Sequence, residues 1–213
     1  MLPVSLGTGR SGPLQVLLLG AHSDDIEIGC GGTVLRLLAE RPGSTIHWVV
    51  FSAAGQRAEE ARTSAAAFTG GAAGVTLHSF RESYFPYVGA EIKDAFEELC
   101  AGVEPDVVFT HRRDDEHQDH RTIAALTWNT FRNHLVAEYE IPKYEGDLGH
   151  PNLFVPLTAE LAERKIELLT EHFASQRNRA WFRPATFRGL MALRGVECVA
   201  DYAEAFHIRK LII

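Results

Sequence analysis

Residues 14–20 read "LQVLLLG" and run directly into "AHSDDIEIGCGG" at 21–32. The first stretch is a short, continuous apolar run closed by a glycine, the mark of a strand buried on both faces. A histidine and two adjacent aspartates then stand where that strand ends. Neighbouring carboxylates repel each other and neither suits an apolar interior, so a cation or a shared proton must reconcile them.

Outward from this point the chain alternates. "GGTVLRLLAERPG" (31–43) reads as a helix stopped by Pro42 and Gly43, and "TIHWVVFSA" (45–53) as a second strand. The alanine-rich "RAEEARTSAAAFTG" (57–70) reads as a helix ended by Gly70 and Gly71, and "VTLHSF" (75–80) as a third strand. "EIKDAFEELCAGV" (91–103) places Ile92, Phe96 and Leu99 on one helical face, and Pro105 precedes the short strand "DVVFT" (106–110). A helix is expected over 120–136, a loop over 138–152, a short apolar piece at 153–156, a helix over 158–173 and a final strand from 203. Short buried strands alternating with amphipathic helices predict an α/β fold, a doubly wound and mostly parallel sheet with helices on both faces. Residues 1–13, rich in Gly, Ser and Pro, are expected to be a flexible tail, and 14–213 a single domain. Ligands bind such sheets beyond the carboxyl ends of the strands, so the loops after 19, 53, 80 and 110 are where chemistry belongs.

Composition narrows the function classes. The apolar fraction is 46% and the formal charge −7, which argue against disorder, general nucleic-acid binding and anionic membrane surfaces. Cys30, Cys100 and Cys198 are widely spaced and form no CxxC pair, so neither a disulfide framework nor a cysteine zinc site is indicated. The first residues lack an apolar leader, and no run is long enough to span a bilayer, so a cytoplasmic protein with no membrane span is expected.

Two loops carry unusual clusters. His22, Asp24 and Asp25 follow the first strand, and "HRRDDEHQDH" (111–120) follows the fourth, with His111, Asp114, Asp115, His117, Asp119 and His120. Imidazole mixed with carboxylate suits Zn²⁺ or non-haem Fe²⁺, and two histidines with one carboxylate leave coordination positions open, as catalytic sites require.

"AHSDD" followed by "GCGGT", and later "HQDH", resemble the signatures of the PIG-L/LmbE-like deacetylases, which usually read AHPDD and HPDH. "RAEEARTSAAAF" and "KIELLTEHFASQ" extend the resemblance over nearly the whole chain. It implies a Rossmann-like sheet and one divalent metal, usually zinc, with Fe²⁺ as the other candidate, hydrolysing N-acyl groups of N-acetylglucosamine-type sugars. Carried over residue by residue, the metal ligands are His22, Asp25 and His120. Asp24 is the general base, His117 polarises the amide carbonyl, and Asp119 orients His117; a protonated His117 would also stabilise the oxyanion. The expected partner is a small N-acylated amino-sugar substrate, with relatives suggesting a homo-oligomer. Other readings are an amidase for formyl or larger acyl groups, or a non-hydrolytic metal- or nucleotide-binding module. Ser23 replaces the family proline, Ile26 stands where many members carry glutamate, and Glu27 receives no role.

Other residues keep structural readings. His111 is equally well a structural residue, Asp114 a solvated one, and Cys30 a small buried one. Arg57 either pairs with a helical glutamate or reaches the substrate. Arg112 and Arg113 are solvated or hold an anionic substrate group. The glycines of "GCGG" allow close packing beneath the site, and the 138–152 loop rims the pocket.

Overall fold

The computed structural model describes residues 12–212. Most of the stretch expected to form the N-terminal tail therefore lies outside the described residues. The elements are β1 (Gln15–His22), α1 (Asp25–Glu40), β2 (Thr45–Ser52), α2 (Gln56–Thr69), β3 (Ala73–Leu77), α3 (Gly89–Gly102), β4 (Val107–His111), α4 (Gln118–Thr130), β5 (Leu135–Tyr139), β6 (Leu153–Leu157), α5 (Ala159–His172), α6 (Pro184–Cys198) and β7 (Tyr202–Ile208). They form one sheet in the order β3-β2-β1-β4-β5-β7-β6. The first five strands are parallel, and β7 runs antiparallel to both β5 and β6. The predicted α/β class and mostly parallel sheet are thus observed.

Alternation along β1 explains its continuous apolar run. Val16 and Leu18 face a layer with Trp48, Phe109 and residues of α1, α2, α5 and α6. Leu17 and Leu19 face the opposite layer with Phe51, Phe96 of α3 and Ile123 of α4. Chain order reverses between β1 and β4, which pair from Val16↔Val107 to Leu18↔Phe109. That reversal opens a crevice at their carboxyl ends. His22 ends β1 and His111 ends β4, so both histidines stand at the crevice.

Helix α1 begins at Asp25, upstream of the expected start at Gly31, and absorbs the glycine run by kinking at Cys30 (φ −144°, ψ 15°). A Cβ on Gly31 would lie 2.6 Å from the Phe68 ring, and one on Gly29 would overlap Tyr139, so the glycines do serve close packing. The kink strands backbone groups that a buried ion pair then satisfies. Lys165 Nζ donates to the Ile28 carbonyl at 2.6 Å and to Glu204 Oε1 at 2.6 Å, while Glu204 accepts from the Gly32 and Thr33 amides at 2.8 and 2.6 Å.

Two elements depart from the sequence reading. The helix expected over 120–136 stops at Thr130, and Leu135–Tyr139 is strand β5, because a turn at 131–134 redirects the chain beside β4. Helix α6 occupies a stretch left unassigned; Pro184 opens it, and Phe187 and Met191 are its buried face. Among the described residues no helix is long and apolar enough to cross a membrane.

Val199, just after α6, is 91% exposed and held at φ 61°, ψ 46°, a left-handed conformation costly for a β-branched side chain. Val199→Gly should stabilise the protein by about 1 kcal/mol, raising Tm by ~2–4 °C. Thermal unfolding tests this, and an unchanged or lower Tm would show that the conformation carries no strain.

Candidate functional site

The β1–α1 turn and the N-terminus of α4 meet across the crevice. His22 Nδ1 lies 3.2 Å from His120 Nε2 and 3.3 Å from Asp25 Oδ2, and His120 Nε2 lies 3.5 Å from Asp25 Oδ1. Ligands about 2.05 Å from a tetrahedral ion are separated by about 3.3 Å, so each of these contacts has the spacing of neighbouring zinc ligands, with Asp25 meeting the two histidines through different oxygens. His22 and Asp25 meet because only two residues, Ser23 and Asp24, separate the strand end from the first turn of α1. His120 joins them because α4 starts immediately after the loop following β4.

Two further sets bring ligand atoms within 4.8 Å of one another: His22, His117 and Asp119, and His111, Asp115 and His120. Their donors are already engaged. Asp119 accepts from the Ser83 and Phe85 amides at 2.6 and 3.1 Å. His111 Nε2 accepts from the Ala21 amide at 2.9 Å, and Asp115 Oδ2 lies 3.0 Å from both His120 Nδ1 and Lys143 Nζ. In the His22, Asp25 and His120 set, His22 Nδ1 and Asp25 Oδ1 both face His120 Nε2, at 3.2 and 3.5 Å.

Partners outside the triad fix its orientation. Asp25 Oδ2 accepts from the His22 amide at 2.6 Å. Asp115 is the carboxylate behind His120 and also accepts from the His117 amide at 2.8 Å. The expectation that Asp119 orients His117 through its carboxylate is corrected. That carboxylate lies 3.1 Å from His22 Nε2 and is buried under the 83–85 segment. His117 caps α4 instead, its Nδ1 accepting from the Asp119 amide at 3.2 Å. With Nδ1 accepting, the ring's N–H stands on Nε2. Burial and then the charge of His22 lower its pKa, in line with this.

Arg57 pairs with a helical glutamate, as one of its two readings had it, donating to Glu60 Oε2 at 3.2 Å. Its guanidinium also reaches Asp24 Oδ1 at 2.6 Å, a contact not anticipated, and Ser175. The other Asp24 oxygen makes no hydrogen bond among the described residues. Burial raises the Asp24 pKa despite Arg57, with the Asp25 charge adding to the effect. Asp25 itself is held well below the usual carboxylate range, since the facing histidines outweigh burial. Burial also acts against a charge on His22, yet the carboxylates of Asp25 and Asp119 push its pKa up to about 10. Burial and the neighbouring His111 bring His120 down to about 3, leaving its Nε2 lone pair available.

His111 lies buried, its ring stacked on His120 at 3.9 Å between centroids, a wedge behind the site. Glu27 is buried with neither carboxylate oxygen hydrogen-bonded, and burial raises its pKa well above the usual carboxylate range. Cys30 is buried with its thiol pushed up, as a small packing residue. Arg112 and Arg113 stay outside the cluster; Arg112 donates to the Asp114 carbonyl at 2.9 Å, and Arg113 is exposed.

Several solved structures share this fold. N,N'-diacetylchitobiose deacetylase from Pyrococcus horikoshii is 20% identical at a TM-score of 0.71, covering 92% of this chain and 83% of that one. The conserved protein TT1542 from Thermus thermophilus is 18% identical at a TM-score of 0.74, covering 94% and 96%. GalB, the 4-carboxy-2-hydroxymuconate hydratase from Pseudomonas putida, is 16% identical at a TM-score of 0.73, covering 94% and 98%. A hydratase among them shows that this sheet hosts more than one reaction, so the likeness carries the fold and the site must carry the chemistry. No curated protein sequence matches. The sequence pattern of the GlcNAc-PI de-N-acetylases, PIG-L, matches residues 17–131, more than half of the chain and the whole of both clusters. The chain belongs to the PIG-L family.

Proposed function

We propose that this chain is a cytoplasmic, zinc-dependent N-deacetylase, with residues 14–213 as its single catalytic domain. It removes the acetyl group from an N-acetylglucosamine-type amino sugar or a conjugate of one. His22, Asp25 and His120 hold the metal, Asp24 is the base, and His117 is the carbonyl's hydrogen-bond donor. The observation that carries this reading is the zinc-ligand spacing of the His22, Asp25 and His120 contacts beside a half-engaged carboxylate and an imidazole with its N–H on Nε2. Metal binding alone needs neither of those two groups. Membership of the PIG-L family supports the same chemistry.

A divalent metal in this set supplies an activated water near neutral pH and a Lewis acid for the carbonyl. The protein does the rest. The free oxygen of Asp24 takes the proton of the attacking water, and its raised pKa keeps it a competent acid for the departing amine. Arg57 fixes the other oxygen, so the carboxylate does not swing away. His117 Nε2–H donates to the carbonyl oxygen as negative charge builds there, without first needing a proton from solvent.

The test is acetate release from a panel of N-acetylglucosamine derivatives: free sugar, nucleotide-linked and glycosidic. At least one member should yield acetate and a primary amine. Cleavage only of formamides or long-chain acyl amides would keep the amidase and remove the amino sugar. Zinc uptake with no amide cleaved would favour a binding module.

Zinc binding should also be linked to pH through His22. Its imidazole keeps a proton up to about 10, whereas a ligand must offer the lone pair. Zinc therefore displaces that proton, and affinity rises with pH by about tenfold per unit between neutrality and the His22 pKa. Calorimetry in buffers of different ionisation enthalpy measures the proton count. Zero protons released at neutral pH would show that His22 carries no proton in the metal-free protein.

A further inference from the structure

We propose that Lys143 is a positioning residue of the metal centre, a fixed cation that keeps the Asp115 carboxylate aimed at His120. The inference rests on the metal-centre reading above and concerns a residue outside both sequence clusters, in the segment between β5 and β6.

Lys143 Nζ lies 3.0 Å from Asp115 Oδ2, the same oxygen that lies 3.0 Å from His120 Nδ1. It also donates to both oxygens of Asp147, at 2.6 Å each. These contacts engage all three N–H donors of an ammonium. The three side chains are shielded, with Lys143 10%, Asp147 8% and Asp115 3% exposed. Each carboxylate in turn accepts a backbone amide of the turn leading into α4: His117 to Asp115 at 2.8 Å and Glu116 to Asp147 at 2.7 Å. One ammonium therefore ties together the carboxylate behind a candidate ligand, the start of the helix that carries that ligand, and the 140–152 segment.

Without Lys143, two carboxylates would share a poorly hydrated space with no cation between them. The cheapest relief is for Asp115 to turn away towards solvent. That loosens its hydrogen bond to His120 Nδ1. The His120 ring then loses the orientation that brings Nε2 to 3.2 Å from His22 Nδ1. Partners behind a ligand typically affect metal affinity about 10–100-fold. A clip that merely pinned the surface segment would affect thermal stability and leave the metal site unchanged.

Zinc affinity, measured by chelator competition, and the visible spectrum of the Co²⁺-loaded protein separate these roles. Lys143→Met should lose about 10–100-fold in zinc affinity and shift the Co²⁺ bands. Lys143→Arg, which keeps the charge, should recover most of the affinity despite its larger head. Unaltered zinc affinity and Co²⁺ spectrum in folded Lys143→Met would overturn the proposal, as would Lys143→Arg binding no better than Lys143→Met. Should Lys143→Met not fold, Lys143→Gln takes its place with the same expected loss, and wild-type affinity in it overturns the proposal. A wild-type protein that binds zinc but cleaves no amide removes the deacetylase reading and leaves the role of Lys143 standing. One that binds no zinc removes both.

Discussion

Asp24→Asn is expected to bind zinc as the wild type does and to turn over substrate about 10²–10⁴-fold more slowly, the usual cost of deleting a general base. The amide keeps the shape of the carboxylate and offers Arg57 an oxygen at the same place, where Asp24 Oδ1 now accepts at 2.6 Å. What it lacks is the capacity to take a proton from water and return it to the amine. Because Asp24 is not one of the three donors at zinc-ligand spacing, metal content should hold. Metal analysis beside steady-state kinetics separates the two effects. Near-wild-type turnover in a zinc-loaded Asp24→Asn protein would take Asp24 out of the mechanism.

Alanine at His22, Asp25 or His120 should have the opposite pattern, with zinc lost and activity falling with it. The loss in affinity should exceed the roughly 10²-fold that marks the upper end for partners behind a ligand. Asp25→Ala should be the most damaging of the three. Its carboxylate also accepts the His22 amide at 2.6 Å and balances the charge on His22, so the turn itself loosens. Zinc content after dialysis, measured on each variant, decides. Wild-type content in all three would refute the ligand set.

Much of this was legible in the sequence because burial on two faces leaves a strong mark. "LQVLLLG" reads as a strand since its alternate residues feed two separate cores, and the polar cluster after it stands out by contrast. The placing of the His22 and His120 loops followed from the rule that ligands bind such sheets beyond the carboxyl ends of the strands; that β1 and β4 are neighbours at the reversal of strand order needed the structure. Strand β5 was not legible. No glycine or proline breaks the chain between Thr130 and Leu135, so the apolar spacing of α4 seemed to continue. The true partner of Asp119 was hidden for another reason. Its carboxylate is claimed by backbone amides of Ser83 and Phe85, and backbone groups leave no trace in side-chain identity. Lys143 was hidden likewise, being joined to Asp115 only by the path of the 140–152 segment. Within the turn, by contrast, the ligand spacing survived the loss of the family proline at Ser23 intact.

The buried Lys165–Glu204 pair has a consequence for the order of assembly. The candidate metal ligands, base and carbonyl donor all lie before position 121, yet the helix that begins at Asp25 is completed by a side chain from α5 and another from β7. The early part of the chain thus encodes the chemistry without being able to hold it. Until α5 docks the Ile28 carbonyl lacks its partner, and until the last strand docks the Gly32 and Thr33 amides lack theirs, so the turn bearing His22 and Asp25 has no fixed base. Metal capture should therefore be a late event, reporting that the far end of the sequence has arrived. A refolding experiment in which zinc uptake preceded burial of β7 would contradict it.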